Sequence, residues 1–141
     1  MINSSNYVEL ATATEAPVTQ EMIDRISKPE IIRLLHSAIG LATESGEFLD
    51  MLKKHIFYGK PLDLVNASEE VGDALWYSAL AINILKTTLD DVMTVNIKKL
   101  QARYPEKFTE FHADNRNLET ERAILEKRDC NSCDAIGVCG L

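Results

Sequence analysis

The chain has 141 residues, 45% of them hydrophobic and 26% charged, which gives it the length and apolar content for one folded domain with its own core. Fifteen basic residues against twenty-two acidic ones leave a formal charge of -7, which argues against the basic footprint that non-specific nucleic-acid binding requires. Small phosphorylated ligands remain compatible with that charge, because metal ions bridge acidic side chains to phosphate oxygens.

The first residues, Met1-Ile2-Asn3-Ser4-Ser5-Asn6, are polar and lack a charged segment followed by an apolar one, so no secretory signal is expected. No apolar run approaches the ~18 residues of a membrane span. The expected location is the cytoplasm. Residues 1–18 read as an extended arm, and a short helix is predicted from about Thr19 to Ile26. Ser27 before Lys28-Pro29 signals the start of a long helix, whose apolar positions recur at helical spacing to Tyr58. Gly59 and Lys60-Pro61 end it. A second long helix is predicted from about Asp63 to Leu85. A third begins after the capping-box-like Thr88-Leu89-Asp90-Asp91 and runs to about Arg103, where Tyr104-Pro105 stops it. Phe108 to Asn117 reads as irregular and Leu118 to Arg128 as a charged terminal helix. With no strand alternation, the fold class is all-α: an extended arm over 1–18, a helical domain over 19–128 and a cysteine-containing tail over 129–141.

At about 100° per residue, the helix positions sort onto faces. On the first long helix, Leu34, Leu41, Phe48, Leu52 and Ile56 form an apolar arc, flanked by a stripe that carries Glu44 and Glu47 together with His36, Gly40, Met51 and Lys54. The second repeats the plan: Leu64, Val71, Leu75, Ile82 and Leu85 form the arc, and Glu70 and Asp73 share the flanking stripe with Asn66 and Tyr77. On the third, Met93, Ile97 and Leu100 are expected to face inward, with Asn96, Lys99 and Arg103 on the shoulder. Four carboxylates converging on one cleft would repel and resist ionisation unless cations compensated them. Mg²⁺, which takes oxygen ligands and keeps several waters, suits such a cleft. Carboxylates at i, i+3 on two helices are a recurring way to build a metal site in a bundle. A single such pair is more often a solvated face.

These residues resemble the MazG-like all-α nucleoside triphosphate pyrophosphohydrolases. The likeness lies in Gly40-Leu41-Ala42-Thr43-Glu44-Ser45-Gly46-Glu47, in Glu69-Glu70-Val71-Gly72-Asp73-Ala74-Leu75-Trp76-Tyr77, in Asn96-Ile97-Lys98-Lys99-Leu100 and in Arg103-Tyr104-Pro105. It spans roughly residues 29 to 110. Thr43 stands where family members often carry an additional glutamate, which leaves one carboxylate fewer for metal. The resemblance implies hydrolysis of a nucleoside triphosphate between its α- and β-phosphates, as nucleotide-pool house-cleaning. It implies Glu44, Glu47, Glu70 and Asp73 as ligands of Mg²⁺, with Mn²⁺ as a substitute, and Glu44 or Glu47 as acceptor of the proton of the attacking water. Lys54, Lys99 and Arg103 become candidates for neutralising the phosphate chain, and Asn96 for bonding the sugar or a phosphate. It also implies a homodimer or homotetramer. The alternatives are a non-catalytic helical interaction module on the same fold, or a hydrolase of another phosphorylated nucleotide such as a nucleoside diphosphate.

Other features have readings of their own. Trp76, Leu80 and Ile84 lie away from the main arc of the second helix, so that helix is apolar nearly all round and is expected to be buried on every side, either within the chain or by a second subunit. Trp76 reads as packing rather than as a platform for a base, His36 as a polar residue near the pocket mouth, and Tyr77 as either. Cys130, Cys133 and Cys139 offer three thiols where tetrahedral zinc takes four ligands, with His112 or a second subunit as a source of the fourth. The preferred reading is a reduced tail.

Overall fold

The computed structural model describes residues 3–126, and all of the regular structure among them is helical: α1 (Tyr7–Thr12), α2 (Gln20–Ile26), α3 (Pro29–Tyr58), α4 (Leu64–Ile84), α5 (Leu89–Arg103), α6 (Glu110–Asp114) and α7 (Leu118–Glu126). The three cysteines lie outside the described residues. The chain forms two compact units whose boundary falls inside α4, between Ala81 and Ile82, where the length alone suggested one domain.

In the first unit each helix end follows from local chemistry. Thr19 accepts the N–H of Met22 to cap α2, and Ser27 closes that helix by donating its hydroxyl to the Ile23 carbonyl at 2.7 Å. Pro29 then opens α3 from the position where its missing N–H is harmless, with Lys28 as the cap residue. Thirty residues later, Gly59 takes the left-handed conformation (φ 64°) and gives its N–H to the Lys54 carbonyl. His55 Nδ1 lies 2.8 Å from the carbonyl of Lys60, which can only accept, so the ring nitrogen carries the proton and ties the turn to the helix. Asp63 Oδ1 accepts from the N–H groups of Val65 and Asn66 at 3.1 and 3.0 Å and so caps α4. Further along, Ser37 Oγ donates to the Tyr77 carbonyl at 2.7 Å, and Gly40 faces the Tyr77 ring so closely that an added Cβ would lie 2.1–2.3 Å from it. Gly40 is therefore a packing requirement, letting a phenol ring of α4 lie on the backbone of α3.

The second unit is organised by α5 and α7. Thr88 caps α5 by accepting the Asp91 N–H at 3.1 Å, while its own hydroxyl donates to the Asp91 carboxylate at 2.6 Å. That reproduces the predicted box with the acidic side chain on the hydroxyl. Just before it, Lys86 adopts a left-handed conformation (φ 52°) at the end of α4, a position glycine fills with less strain. Arg103, the last residue of α5, forks onto Glu121 of α7 through Nε at 2.8 Å and Nη2 at 2.6 Å.

Three expectations need correction. The segment read as an extended arm contains α1, and the stretch read as irregular contains α6, capped by Thr109. The apolar arcs are also less covered than predicted. Among the described residues Met51 is the only buried hydrophobic, while Leu64, Val71, Leu75, Leu85, Ile56 and Ile97 are more than half exposed. Trp76 is 58% exposed, so the described part of the chain does not itself enclose α4 on that side, and of the two expected covers only the one from within the chain is set aside. Leu34, Leu41, Phe48 and Leu52 of the α3 arc are half-buried, whereas most of the α4 arc is left exposed among the described residues.

Candidate metal centre

The i, i+3 spacing of Glu44 and Glu47 puts both carboxyls on one stripe of α3, and Glu70 meets them from α4. One carboxylate oxygen from each of the three lies within 4.8 Å of the other two. Glu70 is buried at 5% exposure, Glu44 is half-buried and Glu47 is exposed, so the group runs from the packed helix interface out to solvent. Burial, then the charges of Glu47 and Asp73 and a hydrogen bond with Glu70, hold the Glu44 carboxyl above the usual carboxylate range. Asp73 is exposed and outside the tight group, yet near enough for its charge to act on Glu44. Three crowded oxygens with a carboxyl that resists ionisation form a donor set that suits a hard divalent cation, which would relieve the repulsion.

Glu70 also receives a hydrogen bond from Asn66, whose Nδ2 donates to Oε1 at 2.6 Å. Thr43, in the place of the additional glutamate, gives its hydroxyl to the Gly40 carbonyl at 2.9 Å and approaches Glu44 Oε1 at 3.4 Å. It contributes a hydroxyl where a carboxylate would have added charge.

Beside the carboxylates opens a cleft of about 560 Å³, lined among others by Thr43, Glu47, Lys54, Lys60, Asn66 and Glu70. Lys54 reaches it from α3 while its Nζ pairs with Asp50 at 2.6 Å. Lys53 bonds the same carboxylate, and these two lysines, Lys53 first, hold Asp50 at about 2. In the sequence Lys60 reads only as part of a helix stop. The left-handed turn at Gly59 and the His55 contact bring it to the cleft wall. On the other side of Glu70 a smaller groove of about 280 Å³ is lined by Phe48, Leu49 and Val71 with Glu44.

Asn96, Lys99 and Arg103 stand on α5, in the second unit. Arg103 is engaged: Glu121 accepts from it and from Arg116, whose Nη2 lies 2.7 Å from Oε2, and Glu121 is only 4% exposed. Hydrogen bonds from Arg103, then from Arg116, bring the Glu121 carboxyl down to about 2, and Glu121 in turn raises the Arg103 guanidinium above its ordinary value. His36 belongs to an aromatic cluster in the first unit, with ring centroids 5.7 Å from Tyr77 and 6.4 Å from Trp76. Trp76 and Tyr77 meet edge-on at 4.9 Å.

No helix among the described residues is long and apolar enough to cross a membrane. No curated protein and no solved structure matches the chain. The sequence model of the MazG nucleotide pyrophosphohydrolase domain matches residues 35–108, more than half of the chain, and takes in α4 and α5 whole and α3 from Leu35 onward, including all three clustered glutamates. On that match, and with an all-helical fold that agrees with it, the chain belongs to the MazG nucleotide pyrophosphohydrolase family.

Proposed function

We propose that this protein hydrolyses nucleoside triphosphates to the monophosphate and pyrophosphate in a Mg²⁺-dependent reaction, as a cytoplasmic enzyme that clears unwanted nucleotides. The observation that carries the reading is the convergence of Glu44, Glu47 and Glu70 within 4.8 Å at the edge of a cleft that also receives Lys54 and Lys60. Glu44, Glu47 and Glu70 would hold the cation, with Asp73 as a further ligand. When bound, it would supply charge stabilisation at the phosphoryl oxygens and a lower pKa for an attacking water. Glu47, the exposed member, or Glu44, already above the carboxylate range, accepts the proton that water loses. Lys54 and Lys60 oppose the charge of the phosphate chain. Asn96, Lys99 and Arg103 are assigned to substrate on the likeness of their block to the family's third block. The pairing of Arg103 with Glu121 makes it the least available of the three.

The oligomeric part of the proposal rests on the uncovered apolar faces. Leu49 and Ile56 of α3 and Val71, Leu75 and Trp76 of α4 are all more than half exposed, more apolar surface than a folded monomer ordinarily leaves in water. A second copy, in a homodimer or homotetramer, covers them.

The test is pyrophosphate release from a panel of ribo- and deoxyribonucleoside triphosphates, with and without Mg²⁺, with product identification to show which bond breaks. Monophosphate and pyrophosphate in equal amounts are expected. Absence of turnover across the panel, unchanged by Glu70→Gln, would instead favour the interaction module. Light scattering should give at least twice the chain mass, reduced towards the monomer by Leu75→Glu.

A further inference from the structure

Glu70 is the most buried of the clustered carboxylates, and a buried carboxylate needs hydrogen-bond donors to be tolerated. The donor it receives from one turn earlier on α4 is the neutral amide of Asn66, at a short 2.6 Å. That amide is itself anchored: Asn66 is part-buried, lines the cleft beside Glu47 and Glu70, and has its backbone N–H held by Asp63. A lysine or arginine here would satisfy Glu70 equally well but would cancel the charge that a cation requires. An apolar residue would leave Oε1 without this donor and the side chain free to choose another rotamer.

We propose that Asn66 is a positioning residue of the metal centre: its amide fixes Glu70 Oε1 and with it the orientation of the buried carboxylate, while leaving the negative charge available. This rests on the reading of Glu70 as a metal ligand, and deepens it. The role is that of an outer-shell partner, whose loss typically weakens metal affinity about 10- to 100-fold.

The experiment is Mn²⁺ binding to the full chain without nucleotide, followed by electron paramagnetic resonance, for the wild type, Glu70→Gln, Asn66→Leu, Asn66→Ser and Asn66→Gln. Melting in EDTA verifies that each variant is folded. Asn66→Leu removes the donor at similar volume, and Asn66→Ser, which is too short to reach Glu70, gives the same reading should the leucine variant not fold. Both are expected to raise the Mn²⁺ dissociation constant by about tenfold or more. Asn66→Gln, which retains an amide able to bond one turn ahead, is expected to recover most of the affinity. A purely structural role would lower the melting temperature in EDTA and leave the Mn²⁺ constant of the folded protein unchanged. Weak binding by Glu70→Gln with wild-type binding by Asn66→Leu and Asn66→Ser overturns the positioning role alone, as does a glutamine variant no better than leucine. Wild-type binding by Glu70→Gln overturns the metal-site reading on which it rests.

Discussion

Glu70 in the first unit and Glu121 in the second are the same side chain at nearly the same exposure, 5% and 4%, yet their partners differ in kind. Two arginines meet Glu121, each through two nitrogens, and its charge is consumed inside the fold. Glu70 instead has a neutral amide and two neighbouring carboxylates. On the function proposed above, the contrast separates a carboxylate that holds structure from one that would be available for chemistry, a distinction that burial alone does not make.

The sharpest break of that comparison is to neutralise each side chain in turn. Glu70→Gln is expected to lower turnover by about a hundredfold or more, since loss of a ligand should exceed the effect of losing an outer-shell partner. Its melting temperature in EDTA should hold or rise, because repulsion within the cluster is relieved. Glu121→Gln should do the reverse: a large fall in melting temperature, as two guanidinium groups lose their anion, with the Mn²⁺ affinity of the folded protein unchanged. If both variants lost metal binding alike, the distinction would collapse.

A pH series sharpens it. Glu121 ionises at about 2 in the folded chain against an ordinary 4.5, so its contribution is complete above 4.5, shrinks as the pH falls, and is gone near 2. The difference in melting temperature between wild type and Glu121→Gln should therefore close over that window. Asp50, lowered to about 2 by exposed lysines, is screened by water and should add little to the slope.

The long helices and the meeting of three of the four expected carboxylates were legible in the sequence, for physical reasons that particular residues make plain. Pro29 and Gly59 delimit α3 because one lacks an N–H and the other tolerates a positive φ. Glu44, Glu47 and Glu70 could be placed on facing stripes because helical spacing is a local property. What escaped was either too short or too distant. Tyr7–Thr12 and Glu110–Asp114 are too brief to carry a periodic pattern. The Arg103–Glu121 pair joins residues eighteen apart, and nothing near Arg103 announces its partner. Lys60 reaches the cleft through a turn rather than along a helix. The exposure of Val71 and Leu75 was not legible either, since an apolar stripe does not state whether its cover comes from the same chain.

Two smaller substitutions bear on how rigidly each glutamate is held. Gly40→Ala should destabilise the protein by about 1–3 kcal/mol through overpacking against Tyr77, read by urea unfolding, and should be relieved by pairing it with Tyr77→Leu. It displaces α4 from α3 and so should weaken metal binding while leaving the Arg103–Glu121 pair intact. Lys86→Gly, which relieves the one non-glycine residue with positive φ among those described, should change stability by no more than about 1 kcal/mol, in the stabilising direction, without effect on either glutamate.

The length of α3 has a consequence for how the centre opens. Glu44 is the sixteenth of its thirty residues, so end fraying cannot reach it, and its amide should exchange among the slowest in the first unit. Glu70 is only the seventh residue of α4, within reach of an opening of the first two turns, and Asp63 and Asn66 are the groups that hold those turns closed. A brief unwinding there removes one carboxylate from the cluster and leaves the other two where they stand. If the cluster holds a cation as proposed, the start of one helix would set the rate at which it leaves, while the middle of the other would keep the address to which it returns.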